Sequence, residues 1–310
     1  MISKSLFFSY LHLFIMRGEL VKTITTDGLE LAGFFSDCQS DIAVFHTHGS
    51  AGDFYTHKFI EAEAEELAKN GISFLSANNR GHDVFCDIRK HDGGKVEWVQ
   101  GGGAVEEFED CVLDIGSWID FLDSRGVKKV ILQGHSLSQK IVYYQAAKQD
   151  PRVYGQIHLS PCNDAGLMYY SLGREKYEET NAMIRGMVEN GNGGEMLPKE
   201  LCPVCPMNAL AYYGYLTEEG PGNLFPYHNP ESDKWEALAS VREPVLAIFG
   251  EADPYIKPSV GEAARLFKQK AASAKNVSVE VIGGAGHSFV GYEEELASRI
   301  GNWLQLTFKE

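Results

Sequence analysis

From Leu20 onward, short apolar runs alternate with segments of helical spacing. Thr23–Thr26 and Leu29–Phe35 read as two strands joined at Asp27-Gly28, a hairpin-turn dipeptide. Ile42–His46 is a short apolar strand running into Thr47-His48-Gly49-Ser50. Phe59–Lys69 has helical spacing and stops at Gly71, and Ile72–Ala77 reads as a buried strand. Phe108, Val112, Ile115, Ile119 and Leu122 share one face of Val105–Leu122, which predicts a long amphipathic helix stopped by Gly126. Strands at Val130–Leu132, Tyr154–Leu159, Pro244–Phe249 and Val277–Ile282 alternate with helices at Ser138–Lys148, Pro258–Ala271 and Tyr292–Leu306. Short apolar strands separated by helices imply an α/β fold, a mostly parallel sheet covered on both faces.

Pro161–Trp235 breaks this rhythm. It is rich in Gly, Pro, Tyr and Glu, and its helical pieces near Lys176–Val188 and Pro206–Tyr215 lack intervening strands. The expected organisation is an α/β core over 19–160 and 236–310, a helical cap over 161–235, and an N-terminal arm over 1–18. Leu6–Met16 is apolar apart from Ser9 and His12, but no small-x-small cleavage site follows, and the run is shorter than the ~20 residues of a membrane span. Residues 1–16 therefore read as a loose apolar arm or as sequence ahead of a true start at Met16. The expected location is cytoplasmic.

Composition narrows the function classes. Among 310 residues, 28 Lys and Arg stand against 43 Asp and Glu, a formal charge of −15, which disfavours nucleic-acid binding. Six cysteines are too sparse for a disulfide scaffold and suit a reducing compartment. Cys202-Pro-Val-Cys205 has C-x-x-C spacing but no second pair to complete a zinc site. Gly93-Gly94 and Gly101-Gly102-Gly103 read as flexible loops outside any nucleotide-binding pattern. No cofactor or metal is expected, nor stable membrane insertion. The sequence is compatible with a homo-oligomer.

The chemistry concentrates after three strands. Val130–Leu132 runs into Gly134-His135-Ser136-Leu137-Ser138 and then directly into a helix, so Ser136 sits at the apex of a strand-turn-helix. The Leu137 N–H would lie at the helix N-terminus, where an oxyanion is favoured. Gly134–Ser138 resembles the G-x-S-x-G nucleophile elbow of the α/β-hydrolase superfamily, with Ser138 in place of the last glycine. The resemblance implies an eight-stranded sheet and the chain order nucleophile, acid, histidine. Gly250-Glu251-Ala252-Asp253 is similar to the family's acid loop, and Gly283–Phe289 to its histidine loop, which makes Asp253 and His287 the matching partners of Ser136. His48–Gly52 is similar to the family's His-Gly loop, whose matching oxyanion donor is the Ser50 N–H. Asn79–Asp83 is similar to the Arg-Gly-His turn that braces loops around such a site.

Asp164 and Glu251 are rivals for the acid, and His46, His48 and Asp53 form an alternative metal set that suits the glycine loop less well. Candidate substrate contacts are His48 and His135 beside the motifs, and Tyr169, Tyr212, Tyr213 and Phe225 in the cap. The reading is a serine hydrolase taking a small-molecule ester, lactone or thioester through an acyl-enzyme on Ser136. The same triad would also serve C–C, amide or peptide cleavage, acyl transfer or lyase chemistry. From another class, a ligand-binding homologue with little turnover is the alternative.

Overall fold

A computed structural model describes residues 17–202 and 205–308. Most of the arm expected over 1–18 lies outside the described residues. In chain order the strands are β1 (Glu19–Ile24), β2 (Glu30–Ser36), β3 (Ile42–Thr47), β4 (Ser73–Ala77), β5 (Cys86–Asp92), β6 (Lys95–Gly101), β7 (Lys129–His135), β8 (Val153–Leu159), β9 (Val245–Gly250) and β10 (Val277–Ile282). Eight of them form one sheet in the order β1-β2-β4-β3-β7-β8-β9-β10, while β5 and β6 pair separately. β2 runs antiparallel to both β1 and β4, and every other neighbour in the large sheet is parallel. The expected eight-stranded, mostly parallel α/β architecture is present.

Central strands such as Val-Leu-Ala-Ile-Phe-Gly in β9 are buried throughout, because helices cover both faces of the sheet. On one face, α1 (Lys58–Lys69) and α9 (Glu293–Phe308) pack side by side over Val44, Phe74, Ile131 and Ile248. On the other, α2 (Cys111–Ser124) and α3 (Gln139–Lys148) cover Phe45, Leu75 and Leu132. Between β8 and β9 the chain inserts α4 (Asp164–Leu172), α5 (Arg174–Glu189), α6 (Ala209–Leu216) and the short α7 (Glu236–Ala239). α8 (Val260–Lys270) then connects β9 to β10. Among the described residues no helix is long and apolar enough to cross a membrane.

The strand order places a crevice. From β3 the chain crosses to its neighbour β4 on one side, and later returns to β7 on the other. Where the winding reverses, the connections leave the carboxyl ends in opposite directions and open a gap between them. The loops after β3 and β7 border that gap, and they carry His48–Gly52 and Ser136.

Two expectations need correction. The glycine-rich segment read as flexible loop is the β5–β6 hairpin, with Gly93 and Gly94 at φ 53° and 86° in its turn. Two successive positive φ values are what a tight hairpin turn requires, so Gly-Gly was the available signal. The helix expected from Val105 begins at Cys111, after a 3-10 turn at Phe108–Asp110. The apolar face splits accordingly: Phe108 packs against Leu137 and Tyr215, while Ile115, Ile119 and Leu122 join the sheet.

Buried charge fixes the loops above the sheet. Arg80 donates to Asp114 at 2.9–3.2 Å, to Asp110 at 2.6 Å and to Asp27 at 3.1 and 3.2 Å. This ties the turn after β4 to α2 and to the β1–β2 hairpin, the bracing expected of the turn. Lower in the core, Gln133 on β7 donates to Glu63 at 2.8 Å and contacts His46 Nδ1 at 3.0 Å, with all three side chains fully buried. Burial pushes Glu63 up to about 8 from an ordinary 4.5, and His46 down to about 3.

Glu63 therefore makes stability depend on pH in a defined direction. Below the unfolded value both states hold the proton; as pH rises toward 8 the unfolded chain gives it up first, and stability is lost. Glu63→Gln keeps the neutral form at every pH. Its melting temperature should pull ahead of the parent protein's progressively between about pH 5 and pH 8. A difference constant over that range would contradict the buried neutral carboxyl.

Candidate active site

Only three residues separate the end of β7 from the start of α3, and the chain makes the turn by placing Ser136 in the left-handed region at φ 62°. A Cβ on Gly134 would lie 2.7 Å from Ser138 Cα, so the residue two before the apex must be glycine for strand and helix to approach. Ser138, standing where the elbow pattern has glycine, is buried and joined to His158 Nδ1 by a 3.0 Å hydrogen bond. The Ser136 N–H donates to Leu159 O at 2.9 Å, which locks the turn to β8.

The loops after β9 and β10 are stitched together before they reach the cavity. The Ala252 N–H donates to Ala285 O at 2.8 Å, and the Gly284 N–H to Glu251 Oε2 at 2.9 Å. A Cβ on Gly250 would sit 2.6 Å from Gly286 O, so this contact also needs glycine. At the end of these loops His287 Nδ1 is 2.7 Å from Asp253 Oδ2, and Asp253 Oδ1 accepts the Tyr255 N–H at 2.9 Å. A carboxylate only accepts, so His287 carries its proton on Nδ1 and leaves Nε2 as the basic nitrogen. Nε2 has no hydrogen-bond partner among the described residues.

Ser136 and His287 line one cavity of about 290 Å³ together with Gly49 and Ser50. A Cβ on Gly49 would come within 2.8 Å of Ser136 Cβ, so the loop after β3 lies directly against the serine. The backbone N–H groups of Ser50 and Leu137 donate to no acceptor among the described residues. The Ser136 hydroxyl lies 3.4 Å from Cys162 Sγ, and no hydrogen bond joins it to His287. The arrangement brings together a hydroxyl, a carboxylate-oriented imidazole and two open N–H donors.

A family model described as protein of unknown function (DUF1749) matches residues 103–305. The chain belongs to this family. No curated protein matches the DUF1749 chain in sequence. Among solved structures it resembles the Pyrococcus furiosus esterase Pf2001, at 18% identity and TM-score 0.58 over 95% of this chain and 92% of that one. It also resembles Est1E of Butyrivibrio proteoclasticus, a structure with ferulic acid bound, at 16% identity and TM-score 0.65 over 94% and 100% of the two chains. The siderophore hydrolase EstB of Aspergillus fumigatus is similar at 15% identity and TM-score 0.63, over 94% and 98%. The DUF1749 chain thus has the α/β-hydrolase fold.

The other candidates divide. His135 lines the cavity; burial holds it well below the ordinary histidine range, and its Nε2 is 2.9 Å from His287 O. His48, expected to touch substrate, does not line the cavity. It is fully buried, with Nδ1 2.8 Å from Gly49 O and Nε2 accepting the Asn79 N–H at 3.2 Å, so it shapes the loop. Burial pushes it down to about 3, which keeps it neutral for both bonds. The aromatics expected to touch substrate from the 161–235 insertion also need correction. Tyr212 and Phe225 are fully buried in two different core clusters, Tyr213 packs against the cluster that holds Tyr212, and Tyr169 tilts over His228 at 5.1 Å in a separate crevice of the DUF1749 chain. Aliphatic and sulfur side chains line the cavity instead, among them Leu167, Met168, Met207 and Leu216, with Tyr255 above His287. The four aliphatic and methionine positions lie in an insertion without a regular apolar period, so no spacing announced them, while Tyr255 lies in the loop after β9.

The rival acids also find places. Glu251 stitches the two loops, and Asp164 lies in the cavity without bonding His287. Of the alternative metal set, His46 faces Gln133, His48 holds its loop, and Asp53 accepts the N–H groups of Tyr55 and Thr56 at 2.8 and 2.6 Å. Among the described residues, no group of three or more His, Cys, Asp or Glu is arranged to hold a metal ion.

The elbow geometry can be tested without assuming an activity. Gly134→Ala forces a methyl group against the Ser138 backbone, and should lower unfolding stability in urea by about 1–3 kcal/mol. A variant as stable as the parent would show that the turn is looser than this contact implies.

Proposed function

We propose that this protein is a serine hydrolase that cleaves a carboxylic ester, lactone or thioester through an acyl-enzyme on Ser136. The observation that carries the reading is Ser136, held at φ 62° on the β7–α3 turn, facing the same cavity as the His287–Asp253 pair. The α/β-hydrolase fold shared with solved esterases supports it, as do the two open N–H groups beside the serine.

In this mechanism the Ser136 hydroxyl turns from Cys162 toward His287 Nε2. Contacts of this kind are often long until substrate is seated. Nε2 takes the proton as Oγ attacks the acyl carbon, and the Ser50 and Leu137 N–H groups receive the developing oxyanion. His287 then returns the proton to the leaving oxygen or sulfur. Water, deprotonated by the same nitrogen, releases the acid and restores Ser136. Asp253 keeps the imidazole in the required tautomer and stabilises its protonated form. The α4–α6 insertion acts as a cap, because Leu167, Met168, Met207 and Leu216 all come from it. Their apolar surface suits an acyl or alcohol group of small to medium size.

Ser136→Ala should lower kcat for 4-nitrophenyl butyrate by about 10³-fold or more, with the melting temperature changed little. A folded variant that keeps the parent rate would overturn the assignment.

A further inference from the structure

Within a cavity lined mainly by apolar side chains, one carboxylate stands apart. Asp164, the first residue of α4, is the only acidic side chain lining the cavity among the described residues, and no Lys or Arg lines it. Its Oδ1 accepts the Cys162 thiol at 3.5 Å, and the same sulfur is 3.4 Å from Ser136 Oγ. Two contact lengths therefore separate the carboxylate from the serine oxygen. Asp253 already occupies His287 Nδ1, so the triad has no use for this second acid.

The segment that presents Asp164 is fixed from several sides. The Ser160 N–H donates to Ile248 O at 2.8 Å, Tyr227 Oη to Pro161 O at 3.0 Å, and Gln139 Nε2 to Cys162 O at 2.7 Å. Asn163 caps α4 by accepting the Gly166 N–H and donates to Asn223 at 2.8 Å. The helix cap is thus supplied by Asn163, and Asp164 is free of that task. Its Oδ2 has no hydrogen-bond partner among the described residues. A carboxylate kept rigid in an apolar cavity costs desolvation, and a ligand group that donates to it offsets that cost.

From this geometry we infer that Asp164 is a specificity-determining residue, selecting substrates that carry a hydroxyl or ammonium donor roughly two or three bonds from the scissile carbonyl. The inference deepens the hydrolase reading and rests on it. Burial raises the Asp164 carboxyl above its usual range, so a hydroxyl meets a group that more readily stays neutral, and an ammonium would draw it toward ionisation.

The test compares kcat/KM for the 4-nitrophenyl esters of butyric, 3-hydroxybutyric and 3-aminobutyric acids. The parent protein should favour at least one donor-bearing ester over the butyrate by roughly tenfold or more. Asp164→Leu should bring that ratio to about one. Asp164→Asn separates the sources: its amide oxygen still accepts from a hydroxyl and preserves that preference, but lacks the charge that an ammonium preference needs. A parent ratio near one for both donor esters, or a ratio that survives Asp164→Leu, overturns the inference while leaving the hydrolase reading intact. If the parent protein turns over none of the three esters, the hydrolase reading fails and takes this inference with it.

Discussion

The site depends on a left-handed backbone at a residue that is not glycine. Such a conformation costs of order 1–3 kcal/mol and persists only when its surroundings over-determine it. Around Ser136 they do. β8 accepts its N–H, Gly134 and Ser138 close the turn beneath it, and Gly49 leaves no room for a side chain between the β3 loop and the serine. Remove any of these contacts and the turn no longer holds Ser136 against the cavity that His287 and Ser50 also line.

The same logic extends outward through buried polar groups. Asn79 gives its N–H to His48 and receives Lys140 Nζ at 3.3 Å, while Lys140 pairs with Glu106 at 2.9 Å, both charges almost wholly buried. His48 in turn holds Gly49 O. The loop beside the serine is thus tied by hydrogen bonds to the first turn of the helix that follows the serine. A buried pair of this kind contributes little net stability, but breaking one partner costs about 3–5 kcal/mol, so it fixes geometry more than it adds strength.

Much of this was legible in the chain. Strand and helix alternation specified a parallel sheet because central strands buried on both faces must be continuously apolar, as in β9. The placement of Ser136, Asp253 and His287 at the carboxyl edge of the sheet was legible because each follows a strand in a short loop with glycine where backbones must touch; that they act as a triad is the proposal. The β5–β6 hairpin was missed because its side chains are half-buried or exposed, all but Ile88, and carry no clean apolar alternation. Tyr169, Tyr212, Tyr213 and Phe225 were misplaced for a different reason. An aromatic ring reads the same in sequence whether it packs between helices or faces a ligand, and only the tertiary contacts decide. Asp164 was weighed only as a rival to Asp253, since the role proposed for it depends on which residues surround it.

The central claim is that the β7–α3 turn presents an activated serine. Its most direct test is to treat the intact protein with a fluorophosphonate and locate the adduct by peptide mass spectrometry. The account predicts one adduct, on Ser136, whose formation is abolished in a folded His287→Ala variant. A well-folded protein that remains unlabelled, or is labelled at another residue, would contradict it.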